Sequence, residues 1–422
     1  DKRILGLGEF MNYAGVIAAD KDAVDKLLLA RRRGRIVDGH SPALLGKVLN
    51  AYAAASIHTD HECSTLEEMR ERISRGMYAL LRQGSACRDL ENLVKGITAQ
   101  NSRRCVFCSD DLQPKTIFAE GHLDRHLRIC VEAGIDPMAA IQMATLNAAE
   151  CFRLYDRGAI APGLRADFAL VNNLKEFRAA EVFIEGKPAA RDGKYLPKIT
   201  HADDRILRGS FRVKNFSAKK LALRLSSDTV HVIDIMQGGV VTGKGRAEVT
   251  RNDAGEFVFD PAKDIAKLAV VERHRNTGSV GIGLIRGYGI KSGAIAVSVA
   301  HDSHNIIAAG TNDRDMALAV KHLIALGGGA ALAKDGDVIE DMPLPLGGIM
   351  SDRDGEWVDK KLTGIHEKAR EALGVRKEVE PVMTLCFMAL PVIPHLKLTD
   401  MGLFDVDCFA FIPVEAGPGV NS

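Results

Sequence analysis

The 422-residue chain has no surplus of charge: 56 Lys and Arg stand against 55 Asp and Glu, a formal net charge of +1. Without a global field to attract phosphates, nucleic acid and anionic membrane surfaces are not expected partners. A charge-free apolar run of about 18 residues is also lacking, which argues against a membrane-spanning helix. Cysteine is scarce. The eight Cys are scattered and often sit inside apolar stretches such as Cys105-Val106-Phe107-Cys108, as expected of reduced thiols in the cytoplasm. No signal-peptide pattern is visible, and the chain opens Asp1-Lys2-Arg3 rather than Met, so its natural start is expected upstream. What is present is the composition of a soluble globule, 46% apolar and 26% charged. At about 150 residues per domain, the length suits two or three domains.

Up to about residue 155, short apolar runs alternate with amphipathic helical segments, the pattern of βα units around a parallel sheet. Strands are expected at Ile4 to Gly8, Ile36 to Asp38, Ser56 to Asp60, Met77 to Arg82 and Cys105 to Ser109. After the third, Ser64-Thr65-Leu66-Glu67-Glu68 reads as a capping box that starts a helix with Met69 and Ile73 on its buried stripe.

The ends of these strands carry the chemistry. Glu9 follows the first, His40 the second, His61 the third, and Asp110 with Asp111 the fifth. In a (β/α)8 barrel, side chains at the C-terminal strand ends converge on one mouth, so residues distant in sequence can share a metal centre. Imidazole and carboxylate suit Zn²⁺, Mn²⁺ or Fe²⁺, and a carboxylate can bridge two ions. A single His after a strand is usually a loop or cap residue. Four such positions together favour ligation.

At these residues the sequence resembles the bacterial adenine deaminases of the amidohydrolase superfamily. The resemblance rests on Gly6-Leu7-Gly8-Glu9-Phe10-Met11-Asn12, Asp38-Gly39-His40-Ser41-Pro42, Thr59-Asp60-His61-Glu62-Cys63 and the run from Asn101 to Asp111. It continues through Gly121-His122-Leu123-Asp124, Ile141 to Glu150, Val270-Val271-Glu272-Arg273-His274, Ser298 to Asn305 and Ala389 to Pro394. It thus covers nearly the whole chain. It implies that Glu9 bridges two divalent ions, expected to be Mn²⁺ or Fe²⁺ with Zn²⁺ possible, that His40 and His61 bind one of them, and that Asp110 binds the other. Asp110 is preferred to Asp111 because it comes first after the apolar strand. Glu62 is a candidate to bond the purine or to shuttle protons. The implied reaction is attack of hydroxide on C6 of adenine, with Asp110 or Glu62 moving the proton, to give hypoxanthine and ammonia in purine salvage. A cytoplasmic homo-oligomer acting on a small purine is the accompanying expectation.

The superfamily also uses a His-x-His pair on its first strand, and none precedes Glu9. Five strands cannot close an eight-stranded barrel either. Strands 4 to 8 are therefore expected here, with about three βα units upstream, and activity is expected of the complete protein. The alternatives are another amidohydrolase acting on a different nucleobase or cyclic amide, since superfamily ligands do not fix the substrate, and a non-catalytic remnant used as a binding subunit.

The expected layout is the C-terminal part of the barrel at 1–155, part of a small β-sandwich at 156–204, and an α+β domain at 205–422. Within the last, the helix Asp315 to Leu326 should stop at Gly327-Gly328-Gly329. The glycine-rich run 278–293 reads as turns between strands rather than a dinucleotide fingerprint. His301, Asp302 and His304 follow the apolar run Ala294 to Ala300 and are candidate substrate contacts, with an ordinary loop as the competing reading.

Overall fold

The computed structural model describes residues 3–236 and 240–417, and the chain divides into two compact units, Asp1–His201 and Ala202–Ser422. The first is mixed α/β. Five strands, β1 (Gly6–Phe10), β2 (Ile36–Gly39), β3 (Thr59–Asp60), β4 (Tyr78–Arg82) and β5 (Cys105–Cys108), run parallel in sequence order. The bond from His58 N to the Val37 carbonyl (2.9 Å) carries the row from β2 to β3. Helices α1 (Tyr13–Ile17), α2 (Lys21–Arg32), α3 (Gly46–Ala54), α4 (Leu66–Ser74) and α5 (Leu90–Leu93) fill the crossovers, and α6 (Pro114–Glu120), α7 (Leu123–Glu132), α8 (Pro137–Ala144) and α9 (Leu146–Cys151) follow β5. Strand β4 is buried at all five positions, as a parallel strand covered on both faces must be. A methyl group on Gly39 would sit 2.1 Å from the Thr59 carbonyl oxygen, so only glycine allows β2 to end this close to β3.

The first strand corrects the sequence expectation. It starts two residues later than Ile4 and runs to Phe10, so Glu9 lies inside it. Its pairing with β2 slips between Leu7 and Phe10, an irregularity of the kind that re-aims a side chain without ending the strand. The capping box forms: Thr65 accepts from Glu68 N, while the Glu68 carboxylate accepts from Thr65 N at 2.9 Å. Four antiparallel strands, β6 (Phe168–Val171), β7 (Ala179–Ile184), β8 (Lys187–Arg191) and β9 (Lys194–Tyr195), complete this unit.

The second unit is built on eight strands in the order β11-β10-β15-β14-β17-β16-β18-β19. These are β10 (Thr229–Ile235), β11 (Thr242–Glu248), β14 (Ile265–Val271), β15 (Val280–Arg286), β16 (Ala294–Val297), β17 (Ile306–Gly310), β18 (Gly329–Lys334) and β19 (Asp337–Pro343), with a hairpin of β12 (Thr250–Arg251) and β13 (Phe257–Val258) beside them. Among the described residues of this sheet, only β10 and β15 pair in parallel. Helix α10 (Asp313–Leu326) packs Met316, Ala317, Val320 and Leu323 against small sheet residues such as Ala269, Ala296, Ala308 and Ala331. It ends on Gly327 in the left-handed region (φ 76°), as the triple glycine predicts. The run 278–293 is more than turns. Strand β15 occupies its middle, because glycines 281 and 283 let Thr399 and Leu398 approach closely, while Gly287, Gly289 and Gly293 turn the chain at positive φ. No helix among the described residues is long and apolar enough to cross a membrane.

Candidate metal centre

The parallel strands bring Glu9, His40, His61, Glu62 and Asp110 together at their C-terminal ends. Two overlapping sets emerge, Glu9-His40-His61 and His61-Glu62-Asp110, each with its ligand atoms within 4.8 Å of one another. Glu9 Oε1 lies 2.9 Å from His40 Nδ1 and 3.3 Å from His61 Nε2, and Glu62 Oε1 lies 3.2 Å from His61 Nε2. His40 is 2% exposed, and neither of its ring nitrogens makes a well-directed hydrogen bond despite the nearby carboxylate. A buried imidazole facing carboxylates without a directed bond is poorly satisfied as a hydrogen-bonding group, but it is a good ligand for a cation.

The surrounding helices fix these groups. The buried Tyr52 hydroxyl of α3 accepts from His40 N at 2.9 Å and donates to the Phe10 carbonyl at 2.8 Å, which ties the end of β1 to the end of β2. Arg72 of α4 donates to Asp60 at 2.8 Å and to the Ser41 carbonyl at 2.5 Å. Asp60 in turn accepts from Ser41 N (3.2 Å) and Glu62 N (3.0 Å). One buried ion pair therefore holds the backbone next to His40 and His61. Tyr52 and Arg72 did not stand out in the sequence, because a Tyr or Arg within an amphipathic helix carries no mark of its long-range partner, and Asp60 entered only as a member of the motif around His61.

Arg82, the last residue of β4, was also missed. It donates to Glu62 Oε1 (2.6 Å), Asp110 Oδ2 (3.1 Å) and Asp89 Oδ2 (2.9 Å). Burial alone would raise the Glu62 carboxyl, but Arg82 and the neighbouring imidazoles outweigh it and hold Glu62 well below the usual carboxylate range. The imidazoles of His40 and then His61 do the same for Glu9. Burial disfavours a charged His61, yet Glu62 and Glu9 prevail and push its pKa well above that of free imidazole.

Asp110 and Asp111 diverge. Asp110 has φ 58°, a backbone region rarely used by residues with a side chain, and its carboxylate meets Arg82 near His61 and Glu62. Asp111 turns away to accept from Ala86 N (2.6 Å) and Cys87 N (3.3 Å), and burial pushes its carboxyl up to about 7. A methyl on Gly84 would collide with Asp111 Oδ1 at 1.8 Å, so the loop after β4 needs glycine to wrap this carboxylate. Cys87 falls within reach of Asp110 and Asp111, but burial raises its thiol, which works against the thiolate a metal would need.

A cavity of about 360 Å³ opens at the opposite ends of β2 to β4, among Arg31, Arg35, His58, Arg75 and Arg153, and none of the candidate ligands lines it. His301, Asp302 and His304 lie in the second unit, in the turn between β16 and β17. There the His301 ring stacks on Phe387 (4.9 Å) and meets His304 edge-on (5.4 Å), and His304 accepts weakly from Ala300 N (3.3 Å). Burial first, then His301 and Arg273, pull the His304 pKa down to about 4.

Residues 2–189 match the amidohydrolase family and residues 239–410 match the adenine deaminase C-terminal domain. A protein named adenine deaminase 2 from Desulfotalea psychrophila is 60% identical over 413 residues, covering 98% of this chain and 72% of that protein. An adenine deaminase from Nitratidesulfovibrio vulgaris is 50% identical over 414 residues, with the same coverage of each chain. One from Ligilactobacillus salivarius is 48% identical over 410 residues, covering 97% and 71%.

Proposed function

This chain belongs to the adenine deaminase family, and on that premise we propose that it hydrolyses adenine to hypoxanthine and ammonia at the cluster formed by Glu9, His40, His61, Glu62 and Asp110. The observation that carries the reading is the 60% identity over nearly the whole chain, joined to a buried imidazole and carboxylate cluster at one end of five parallel strands. We read those strands as part of a (β/α)8 barrel, β6 to β9 as part of a small β-sandwich, and the second unit as the α+β domain.

Glu9, His40 and His61 would hold one divalent ion and Asp110 would hold a second, with Glu9 expected to be shared by the two. All these donors are nitrogen or oxygen, which suits Mn²⁺ or Fe²⁺ and also admits Zn²⁺. Bound divalent ions would acidify water toward neutral pH and so supply the hydroxide that attacks C6. Glu62, buried and bonded to Arg82, would take the proton of the attacking water and pass it to the ring nitrogen or the departing amine. Asp110 shares the same guanidinium and can relay that proton. His61, flanked by Glu9 and Glu62, keeps both carboxylates oriented toward one point. Water adds across C6 and the C–NH₂ bond breaks, so adenine and water become hypoxanthine and ammonia.

Ammonia release measured with adenine, adenosine and cytosine tests the reading. Turnover of adenine alone is expected. Inert adenine beside a reactive amide or another base would keep the family and overturn the substrate.

A further inference from the structure

Arg82 is a cation shared by acids from three segments. Its side chain and that of Glu62 are each 6% exposed. Nη1 donates to both Glu62 (2.6 Å) and Asp110 (3.1 Å), and Nη2 reaches the second Glu62 oxygen at 3.4 Å. Nε is held from the other side by Asp89, just before α5. Neutralising a buried guanidinium takes one carboxylate. Here Asp89 fixes the far edge of the plane, and the near edge is left to span the two acids to which the proton transfer is assigned above.

We propose that Arg82 is a positioning residue for deamination: it clamps the carboxylates of Glu62 and Asp110 at a fixed separation and orientation, so that both acids meet the substrate in one arrangement. The proposal rests on the deamination reading and adds to it a residue that bonds Asp110 but none of Glu9, His40 and His61, the groups expected to hold the first ion. Two anionic carboxylates a few ångströms apart repel, and without the guanidinium they would swing apart. Lysine cannot replace it, because a single ammonium on a flexible stem cannot meet three carboxylates in one plane.

The decisive variant is Arg82→Lys, which keeps the charge and the fold. Metal per chain by elemental analysis and the melting temperature should match wild type, while kcat for adenine falls at least about tenfold and KM stays within about threefold. In Arg82→Ala, kcat should fall about a hundredfold, and millimolar guanidinium chloride should restore part of it with KM unchanged. A wild-type kcat in Arg82→Lys overturns the proposal, as does a loss of turnover that merely tracks loss of metal or fold and is not rescued by guanidinium. If Arg82→Ala fails to fold, the lysine variant decides alone. A wild-type protein inert toward adenine overturns the deamination reading itself, and is recognised before any variant is made.

Discussion

Around the candidate metal centre of the first unit the buried charges face one another. Glu62 meets Arg82 and His61, Glu9 meets His40 and His61, and Asp60 meets Arg72. In the second unit buried Lys267 and Asp405 also find side-chain partners, Asp313 and Lys244, but three other charged groups face the backbone. Lys397 of β20 (Leu396–Thr399) is fully buried and donates to the carbonyls of Val240 (2.7 Å) and Phe387 (3.1 Å). Glu272 accepts from His274 N, Arg275 N and Thr277 N, and Arg273 donates to the carbonyls of His304 and Gly347. A charge satisfied by backbone groups holds a loop and has little left to offer a ligand. Charges set against each other leave lone pairs directed at a common point, and they shift one another's proton affinity. By this measure the cluster around Glu62 is arranged for chemistry, and Lys397, Glu272 and Arg273 for architecture.

The largest effect that would break this contrast is expected at Glu62. Glu62→Gln keeps the shape and removes the proton acceptor, so kcat should fall by about 10²–10⁴ with metal content intact. Glu9→Gln should lower metal content and turnover together, as elemental analysis would show. If Glu9→Gln keeps its full metal, the bridge lies elsewhere.

Next in size is Arg72→Met, which strands Asp60 as a buried unpaired carboxylate. Urea unfolding should show a loss of roughly 3–5 kcal/mol. Metal affinity should weaken as well, because Asp60 anchors the backbone of Ser41 and Glu62. A destabilised protein with unchanged metal affinity would separate the two roles.

Lys397 provides the counterpart in the second unit. Burial lowers its pKa to about 7, so between that pH and the 10.5 of the unfolded side chain the unfolded state binds more protons. Stability should therefore rise with pH across this window, by about 2 kcal/mol between pH 7 and 9. Lys397→Met should abolish the rise, as urea unfolding at the two pH values would show. A persistent rise would assign it to another group.

The smallest effects are expected at Tyr52 and His304. Tyr52→Phe removes a single hydroxyl that links His40 to Phe10, and should cost about 1 kcal/mol of stability and about tenfold in metal affinity. His304, with its pKa near 4, carries its stabilising share above pH 6.5 and loses it as pH falls toward 4. His304→Gln should flatten the drop in melting temperature between pH 7 and 5. Equal drops in both proteins would mean that the partly buried ring does not control acid sensitivity.

The alternation of apolar runs and amphipathic helices, the capping box at Thr65 and the glycine stop after Leu326 were legible because each depends on neighbours within a few residues. The strand-end positions of His40, His61 and Asp110 were legible for a similar reason, since parallel strands present their C-terminal ends on one side whatever the loops do, while Glu9 sits one residue inside its strand. Tertiary structure alone decided the rest. Tyr52 acts across 42 residues on Phe10, Arg72 across 31 on Ser41, and Arg82 across 20 and 28 on Glu62 and Asp110. Lys397 looks like any strand lysine until two carbonyls more than a hundred residues and ten residues away close over it. Local pattern specifies which elements form and which way they point. The partner of a buried charge is set by which elements pack together, and that information is spread over the whole chain.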